Sequence, residues 1–403
     1  MKPCGWLLSA VLAACAGVGA AQNAPLTDSD RQHAMQLFDE QKFAEALPLF
    51  ERLAAERPKD AVVMERLGFA ILAGAAGLKD REAETRERRR ARTVLLQAKA
   101  LGDNSNLLQV LLEGLPEDGS VSPFSANKEV ESVMREAEAA FGRGDMKEAL
   151  DGYIRAFALD PHLYEAALFA GDACYKMHRN ESACEWYERA TQVNADRETA
   201  YRYWGDALMT AGDNAQARSK FIEAVVAEPY QRKSWMGVEQ WAGRNKLSLS
   251  FAKITPPHSV SPPSTGADGK TRIDVNIDPA TIGDKVAEQD GRSAWFIYPL
   301  NRATWLTGRF AKEFPGEKQY RHSLKEEAES LHMVADQVRK KKVAKLDPGL
   351  AMLVKIDDEG MLEAYVLIGA ADQGISQDYA GYRAANRQKL RRYLDEYVVP
   401  RLP

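Results

Sequence analysis

The middle of the chain repeats itself every 34 residues. Segments starting at Glu136, Ala170 and Trp204 align without a gap. Small residues recur at Ala137, Gly171 and Gly205, at Ala149, Ala183 and Ala217, and at Ala156, Ala190 and Ala224. Aromatic residues recur at Tyr153, Tyr187 and Phe221, and the units close at Pro161, Ala195 and Pro229. A fixed period of this length marks one supersecondary unit, repeated and stacked because a single unit cannot bury its own apolar face. Small residues let two antiparallel helices approach closely, and the aromatic fills the gap toward the next unit. The closing Pro is expected to start the following helix, where its missing N–H costs nothing. The expected fold is mainly all-α, an α-solenoid of antiparallel helix pairs.

This pattern resembles the tetratricopeptide repeat (TPR) in period and in its small and aromatic positions. The resemblance covers residues 27–246, roughly half the chain. Residues 27–115 carry looser repeats. Ala34, Ala46, Phe50, Leu53 and Pro58 keep the spacing, and a second unit runs from Ala61 through Gly68 and resumes at Ala91, Leu95 and Ala98. The charged stretch Arg81 to Arg90 between them is expected to be a solvated extension of two helices. Residues 116–127 read as a loop, and 128–246 as three regular units plus a capping helix with Trp235, Val238 and Trp241. Residues 247–290 form a Pro/Ser/Gly-rich linker expected to be extended, with 271–277 as a lone strand. Residues 291–403 form a helical C-terminal domain of unrecognised family. In it, Ser323 and Glu326 are expected to form a capping box opening a helix that runs to about Lys342.

The first 21 residues have the grammar of a secretory signal peptide. Lys2 is followed by an apolar run from Gly5 and by the small residues Val18 to Ala21. The protein is therefore expected to be exported, to the periplasm, with the mature chain starting near Ala21 or Gln22. Leu12-Ala13-Ala14-Cys15 also resembles the lipobox of bacterial lipoproteins, which makes lipidation of Cys15 and a membrane-anchored lipoprotein the alternative. No segment is long and apolar enough to be a transmembrane helix. Of four cysteines, Cys174 and Cys184 lie in the mature chain, flanking a hairpin turn near Arg179. They are a disulfide candidate in an oxidising compartment, or two small core residues that stay reduced.

A net charge of −4 and a pI near 6.0 exclude the basic footprint of a nucleic-acid binder. The sequence carries none of the nucleophile-elbow, zincin, P-loop or dinucleotide-binding motifs, so no catalytic residue, metal ligand or cofactor is assigned. His322 and Glu326 lie one helical turn apart, a spacing read as solvated or capping. The basic run Arg339 to Lys342 is read as a charged helix end, with anionic lipid or cell-wall polymer as the functional alternative.

The resemblance implies peptide binding on the concave face, lined by the first helix of each pair. That face carries an acidic stripe at Glu138, Asp172 and Asp206, beside an apolar and aromatic stripe at Phe141, Tyr175 and Met209. The acids either face solvent or pair with Arg135, Lys176 and Arg202, or else meet a basic to neutral polypeptide. Residues 291–403 hold 19 Lys and Arg against 15 Asp and Glu, whereas 22–290 hold 34 against 43. Arg383, Arg387 and Arg391 form a basic edge on the final helix, so the C-terminal domain is itself a candidate occupant of the groove. The function expected is a protein–protein interaction scaffold rather than an enzyme. The alternative is a cell-envelope enzyme whose active site lies in residues 291–403, detectable as a polar pocket with a convergent Asp, Glu or His pair.

Overall fold

A computed structural model describes residues 26–402, apart from 79, 121, 262–263, 266–270, 282–284, 342 and 344. The expected signal region, with Cys15, lies outside the described residues. The chain divides into two compact units, Met1–Arg179 and Asn180–Pro403. The division falls inside the stretch expected as one repeat block rather than at the Pro/Ser/Gly-rich segment.

The first unit holds α1 (Asp28–Asp39), α2 (Phe43–Glu56), α3 (Ala61–Ala76), α4 (Arg81–Ala100), α5 (Asn106–Glu113), α6 (Lys128–Arg143), α7 (Met146–Leu159) and α8 (Tyr164–Lys176). Each helix packs on its neighbour from α1 to α5 and from α6 to α8, and α3 also packs on α6. Thr27 opens α1 with a full capping box through Asp30, while Asp60, Asp80, Ser105 and Asn127 cap later helices with their side chains. The repeat positions are the core: Ala34, Ala46, Phe50, Leu53, Ala91, Leu95, Ala98, Ala137, Ala149, Tyr153 and Ala156 are all buried. The small residues matter because the helices touch. A Cβ on Gly68 would lie 2.6 Å from the Leu95 side chain, and one on Gly152 would lie 2.6 Å from Ala137 Cβ.

The charged insertion is not simply solvated. It accompanies a longer pair, α3 with 16 residues and α4 with 20 against 12 and 14 in α1 and α2, and its Glu84 is buried against Arg135 at 2.7 Å. Arg88 Nε donates to the Gly119 carbonyl at 3.1 Å, pinning the 116–120 loop to the helix. One acidic and one basic residue thus turn inward from a stretch whose composition reads as surface.

The second unit continues with α9 (Asn180–Val193), α10 (Glu198–Thr210), α11 (Asn214–Ala227) and α12 (Arg232–Arg244). Ala183, Tyr187, Ala190, Ala217, Phe221 and Ala224 are buried at the expected positions. The hairpins turn through a left-handed residue at Gly144 and His178 in the first unit and at Gly212 and Lys246 in the second, which keeps the 34-residue spacing. Pro58, Pro161 and Pro229 do not enter the following helix. Each is the second residue of a β-turn closed by Asp60 N–H to Arg57 O, Leu163 N–H to Asp160 O, or Gln231 N–H to Glu228 O. That is the turn position for which the fixed φ of proline is suited.

Helix α12 ends like the first helix of a fourth pair, with Leu247 N–H on Ala242 O. No second helix follows directly among the described residues. Instead, four two-residue strands form antiparallel pairs: β1 (Ser259–Val260) with β4 (Val275–Asn276), and β2 (Ser264–Thr265) with β3 (Thr271–Arg272). The expected lone strand is therefore two strands, both paired, in a segment expected to be extended.

The rest is helical: α13 (Lys285–Gln289), α14 (Ile297–Thr304), α15 (Phe310–Glu313), α16 (Leu324–Lys341), α17 (Pro348–Asp358), α18 (Leu362–Tyr365) and α19 (Tyr379–Tyr393). Wide π-type turns follow α14, α18 and α19 at Trp305–Arg309, Val366–Ala370 and Leu394–Val398. Helix α19 packs on α11. It adds to the cover from α12, which packs on α10 and α11 and buries Val238 and Trp241. Arg383 pairs with Asp196 at 2.7 Å, Arg387 with Asp196 and Glu223 at 3.1 and 3.2 Å, and Arg391 with Glu223 at 3.4 Å. Arg218 grips the end of the chain, donating to the carbonyls of Asp395, Val399 and Pro400. The basic edge therefore does meet acids of the repeat region, but at Asp196 and Glu223 rather than at Asp206 of the expected stripe.

Candidate peptide-binding groove

In the first unit, the last turns of α6 open onto a cavity of ≈ 910 Å³. Its walls include Glu138 and Phe141 from the expected stripes. Opposite them stand Phe38 and Phe43 from the first hairpin and Phe69 from α3. The three rings form a triangle with centroids 5.0 to 5.2 Å apart. Edge-on and tilted contacts of this kind suit the ring quadrupole. One face of Phe38 already carries the Arg66 guanidinium, 4.5 Å from the ring centroid.

Glu138 is not a solvated acid. It is half-buried, and burial pushes its carboxyl above the usual range even though the Tyr153 hydroxyl donates to it and Arg135 lies near. The expected ion pair with Arg135 does not form. That guanidinium is committed to Glu84 and Glu131, each at 2.7 Å. Lys176 also finds a different partner, donating to the Gln41 side chain at 3.0 Å. Asp172 and Tyr175 are half-buried on α8 and do not line this cavity.

In the second unit, Asp206 is likewise half-buried, and burial pushes its carboxyl up to about 6 while Arg202 and Arg244 act in the opposite sense. Arg202, its expected partner, is paired with Glu198 at 2.9 Å. Met209 is buried rather than presented to a ligand. Cys174 is buried and Cys184 half-buried, both as free cysteines, the second of the two states open to the pair. Burial raises the Cys184 thiol, whose surroundings are Trp204 and Lys220 of the following helices, so it is turned toward the next pair.

The C-terminal helices do bring acids and a histidine together, though without the expected spacing signal. His322 Nδ1 lies 2.8 Å from Asp372, and its Nε2 lies 3.0 Å from Glu327. Glu327 also accepts from the Tyr298 hydroxyl at 2.7 Å. Burial opposes charge on His322, yet the Glu327 and Asp372 carboxylates outweigh it and raise its pKa. Glu326 is fully buried and takes Arg302 at 3.1 Å and the Tyr320 hydroxyl at 2.9 Å. Ser323 therefore caps α16 through the Glu326 N–H, but the Glu326 carboxylate does not return to complete a capping box. His322 and Glu326 are not the solvated pair that their spacing suggested.

This network ties α14 to α16, and none of its His322, Glu327 and Asp372 lines the ≈ 730 Å³ cavity of this region. That cavity joins apolar walls such as Phe314, Leu324 and Leu362 to a polar set, Glu329, Glu363, Asp378 and His332, the last with its Nδ1 2.9 Å from Asp357, so a histidine–carboxylate pair of the kind expected for the enzyme alternative does line a pocket. A histidine held between two carboxylates favours the imidazolium, which has no lone pair to serve as a base. The basic run is also less available than its composition implies. Arg339 is paired with Asp336, Asp357 and Asp358 at 2.5 to 2.8 Å, and Lys342 lies outside the described residues. No helix of the described residues is long and apolar enough to cross a membrane.

No protein-family model matches the chain, and no curated protein matches it. Similar solved structures include MamA from Desulfovibrio magneticus RS-1, 16% identical over 51% of this chain and 96% of that one, with a TM-score of 0.25. YrrB, a TPR protein with an unusual peptide-binding site, is 13% identical over 54% of this chain and 95% of its own, with a TM-score of 0.25. The TPR2AB domain of yeast Sti1, solved in complex with pHSP90, is 13% identical over 53% of this chain and 96% of its own, with a TM-score of 0.27. Residues 27–246 fold as helix pairs, with the 34-residue spacing and buried small and aromatic positions of a tetratricopeptide-like fold over 128–246.

Proposed function

We propose that the chain is an exported, non-enzymatic scaffold that binds a basic to neutral polypeptide along the first helices of its repeats. The observation that carries this reading is the cavity at the end of α6, where four phenylalanines surround a half-buried carboxyl. Concave sites lined by aromatic side chains with a few fixed polar groups are the usual form of a binding pocket. Glu138 and Asp206 have no ion pair with the nearest arginines, Arg135 and Arg202, which are held by other carboxylates; a cationic or neutral ligand suits such acids better than an acidic one. Export to the periplasm rests on the Lys2 to Ala21 segment, with a lipid anchor at Cys15 as the second form of the same reading.

The test is site-directed crosslinking in the cell envelope. A photoreactive amino acid at Phe141 is expected to trap a polypeptide, and the same probe at exposed Ile154 on α7 is expected to trap much less. Equal capture at both sites would remove the groove from the argument. Intact mass of the purified protein settles the leader: a start near Ala21 or Gln22 supports cleavage, a lipidated Cys15 supports the anchor, and an intact Met1 opposes both.

A further inference from the structure

We infer that the cavity at the end of α6 recognises one cationic side chain of its polypeptide partner, an arginine or a lysine. The inference rests on the groove reading and names the group that the groove selects. Three features converge on it. The first is the aromatic wall of Phe38, Phe43, Phe69 and Phe141, whose ring faces attract a cation. The second is charge. The bases that line the cavity already have partners: Lys42 with Glu40 at 2.8 Å, Arg143 with Asp145 and Glu148 at 3.2 Å, and Lys176 with Gln41 at 3.0 Å. Asp39, Glu45 and Glu138 also line it, and none of the three is bonded to a cation among the described residues.

The third feature is the position of Glu138 itself. Its carboxyl accepts from the buried Tyr153 hydroxyl, which fixes its direction while leaving acceptor capacity on the group. Arg135, the nearest internal cation on the same helix, is held away by Glu84 and Glu131. A guanidinium or ammonium laid along the rings would end on Glu138. Its apolar stem would replace water against phenylalanine, and its charge would meet the Glu138 carboxyl, which has no ion pair of its own among the described residues and which a cation would favour in its ionised form against the effect of burial. An acidic ligand would face Asp39, Glu40, Glu45 and Glu138, with Lys42 and Arg143 already paired and Lys176, bonded to a neutral amide, left as the cation among the described lining residues.

The experiment uses the full mature chain and fluorescein-labelled decapeptides of glycine and serine carrying two leucines and one central residue. That residue is arginine, lysine, citrulline or norleucine. Citrulline keeps the length and planarity of arginine without its charge. The arginine and lysine peptides are expected to bind at least about fivefold tighter than the other two, a difference of about 1 kcal/mol. Glu138→Gln keeps the size of the side chain and is expected to abolish the difference while leaving citrulline binding in place. Phe69→Leu is expected to weaken all four peptides. Competition by free arginine amide separates a site for any organic cation from one that needs the polypeptide; the inference requires that the amide alone compete poorly. Equal binding of arginine and citrulline peptides would overturn the cation inference and leave the groove reading standing. No binding by any peptide, together with no capture at Phe141, would overturn both. A thermal midpoint for Glu138→Gln within a degree or two of the parent shows that the variant is folded.

Discussion

A Cβ placed on Gly205 would lie 2.5 Å from Cε1 of Phe221, so the ring rests directly on the backbone of α10. On its other side, a Cβ on Gly237 would lie 2.5 Å from Cδ1 of the same ring. The aromatic position of the repeat is thus clamped between two glycines. One of these is a repeat position and the other belongs to α12.

Gly205→Ala is expected to cost about 1–3 kcal/mol through overpacking, because a fully buried ring has no free space into which to move. Alanine is a better helix former than glycine, so the local propensity change works the other way by roughly 1 kcal/mol. Thermal or urea unfolding decides between the two. A midpoint that rises would mean the ring yields easily and the clamp is not tight. Adding Phe221→Leu is expected to restore part of the loss in the alanine variant.

Arg218 is the second test. It is 12% exposed and bonds three carbonyls and one carboxylate at the end of the chain. Charge-assisted bonds of this kind are worth about 1.5–3 kcal/mol each when a buried partner is stranded, although Asp395 is partly exposed and its share is smaller. Arg218→Ala is expected to free residues 394–400. Hydrogen exchange should quicken at the Val399 N–H, which bonds Leu394 O. Exchange that stays as slow as in the parent would show that packing alone holds the segment.

The repeat was legible because each of its positions has one physical task that few residue types can perform. Ala149, Ala183 and Ala217 must be small, and Tyr153, Tyr187 and Phe221 must fill a gap, so spacing alone exposes them. The half-buried state of Glu138 and Asp206 was not legible. Their nearest arginines were visible in the sequence, but Arg135 is captured by Glu84, 51 residues away, and nothing local announces that. The His322 network was hidden for the same reason. Asp372 lies 50 residues beyond His322, and only the packing of α16 against its neighbours brings them together. Net charge did indicate that the C-terminal arginines would meet acids of the repeats, but it could not say which acids. Asp196 sits in a turn and Glu223 on the second helix of its pair, away from the stripe that composition singled out.

His322 gives a pH prediction. A raised pKa means that the folded state holds the proton more tightly than the unfolded state, whose value is about 6.5. Its contribution is therefore fully present below about pH 6.5 and is lost as pH rises through the folded value. The groups facing it are Glu327 on α16, Asp372 before α19 and Arg302 on α14, of which only Arg302 opposes its charge. The thermal midpoint of the transition reporting on the second unit is expected to fall as pH rises above about 6.5, more steeply than in His322→Gln. Parallel pH profiles for the parent and the variant would remove His322 as the cause. Asp372 acts at the other end of the scale, because its pKa is lowered and its contribution fades only as pH drops toward and below 3.8.

Asp206 makes a contrary prediction, in which a substitution stabilises. Burial raises its carboxyl from 3.8 to about 6, so the charged form is less favourable in the folded protein than in the unfolded chain. The same sign rule applies: folding loses stability as pH rises from about 4 through about 6, and the ionised group at neutral pH is a net cost. A shift of this size corresponds to about 3 kcal/mol at most, and residual solvent contact reduces it to about 1–2 kcal/mol. Asp206→Asn keeps the shape and removes the charge. It is expected to raise stability at pH 7 by that amount and to leave it nearly unchanged at pH 4. Arg202 does not lose its partner in the exchange, since Glu198 holds it at 2.9 Å. Urea unfolding of both proteins at the two pH values is the measurement. A loss of stability at pH 7 would mean that Arg202 and Arg244 more than repay the burial, and that Asp206 is a structural ion. A gain would identify a carboxylate kept ionised at a cost to the fold, as expected of a group held for a cationic partner.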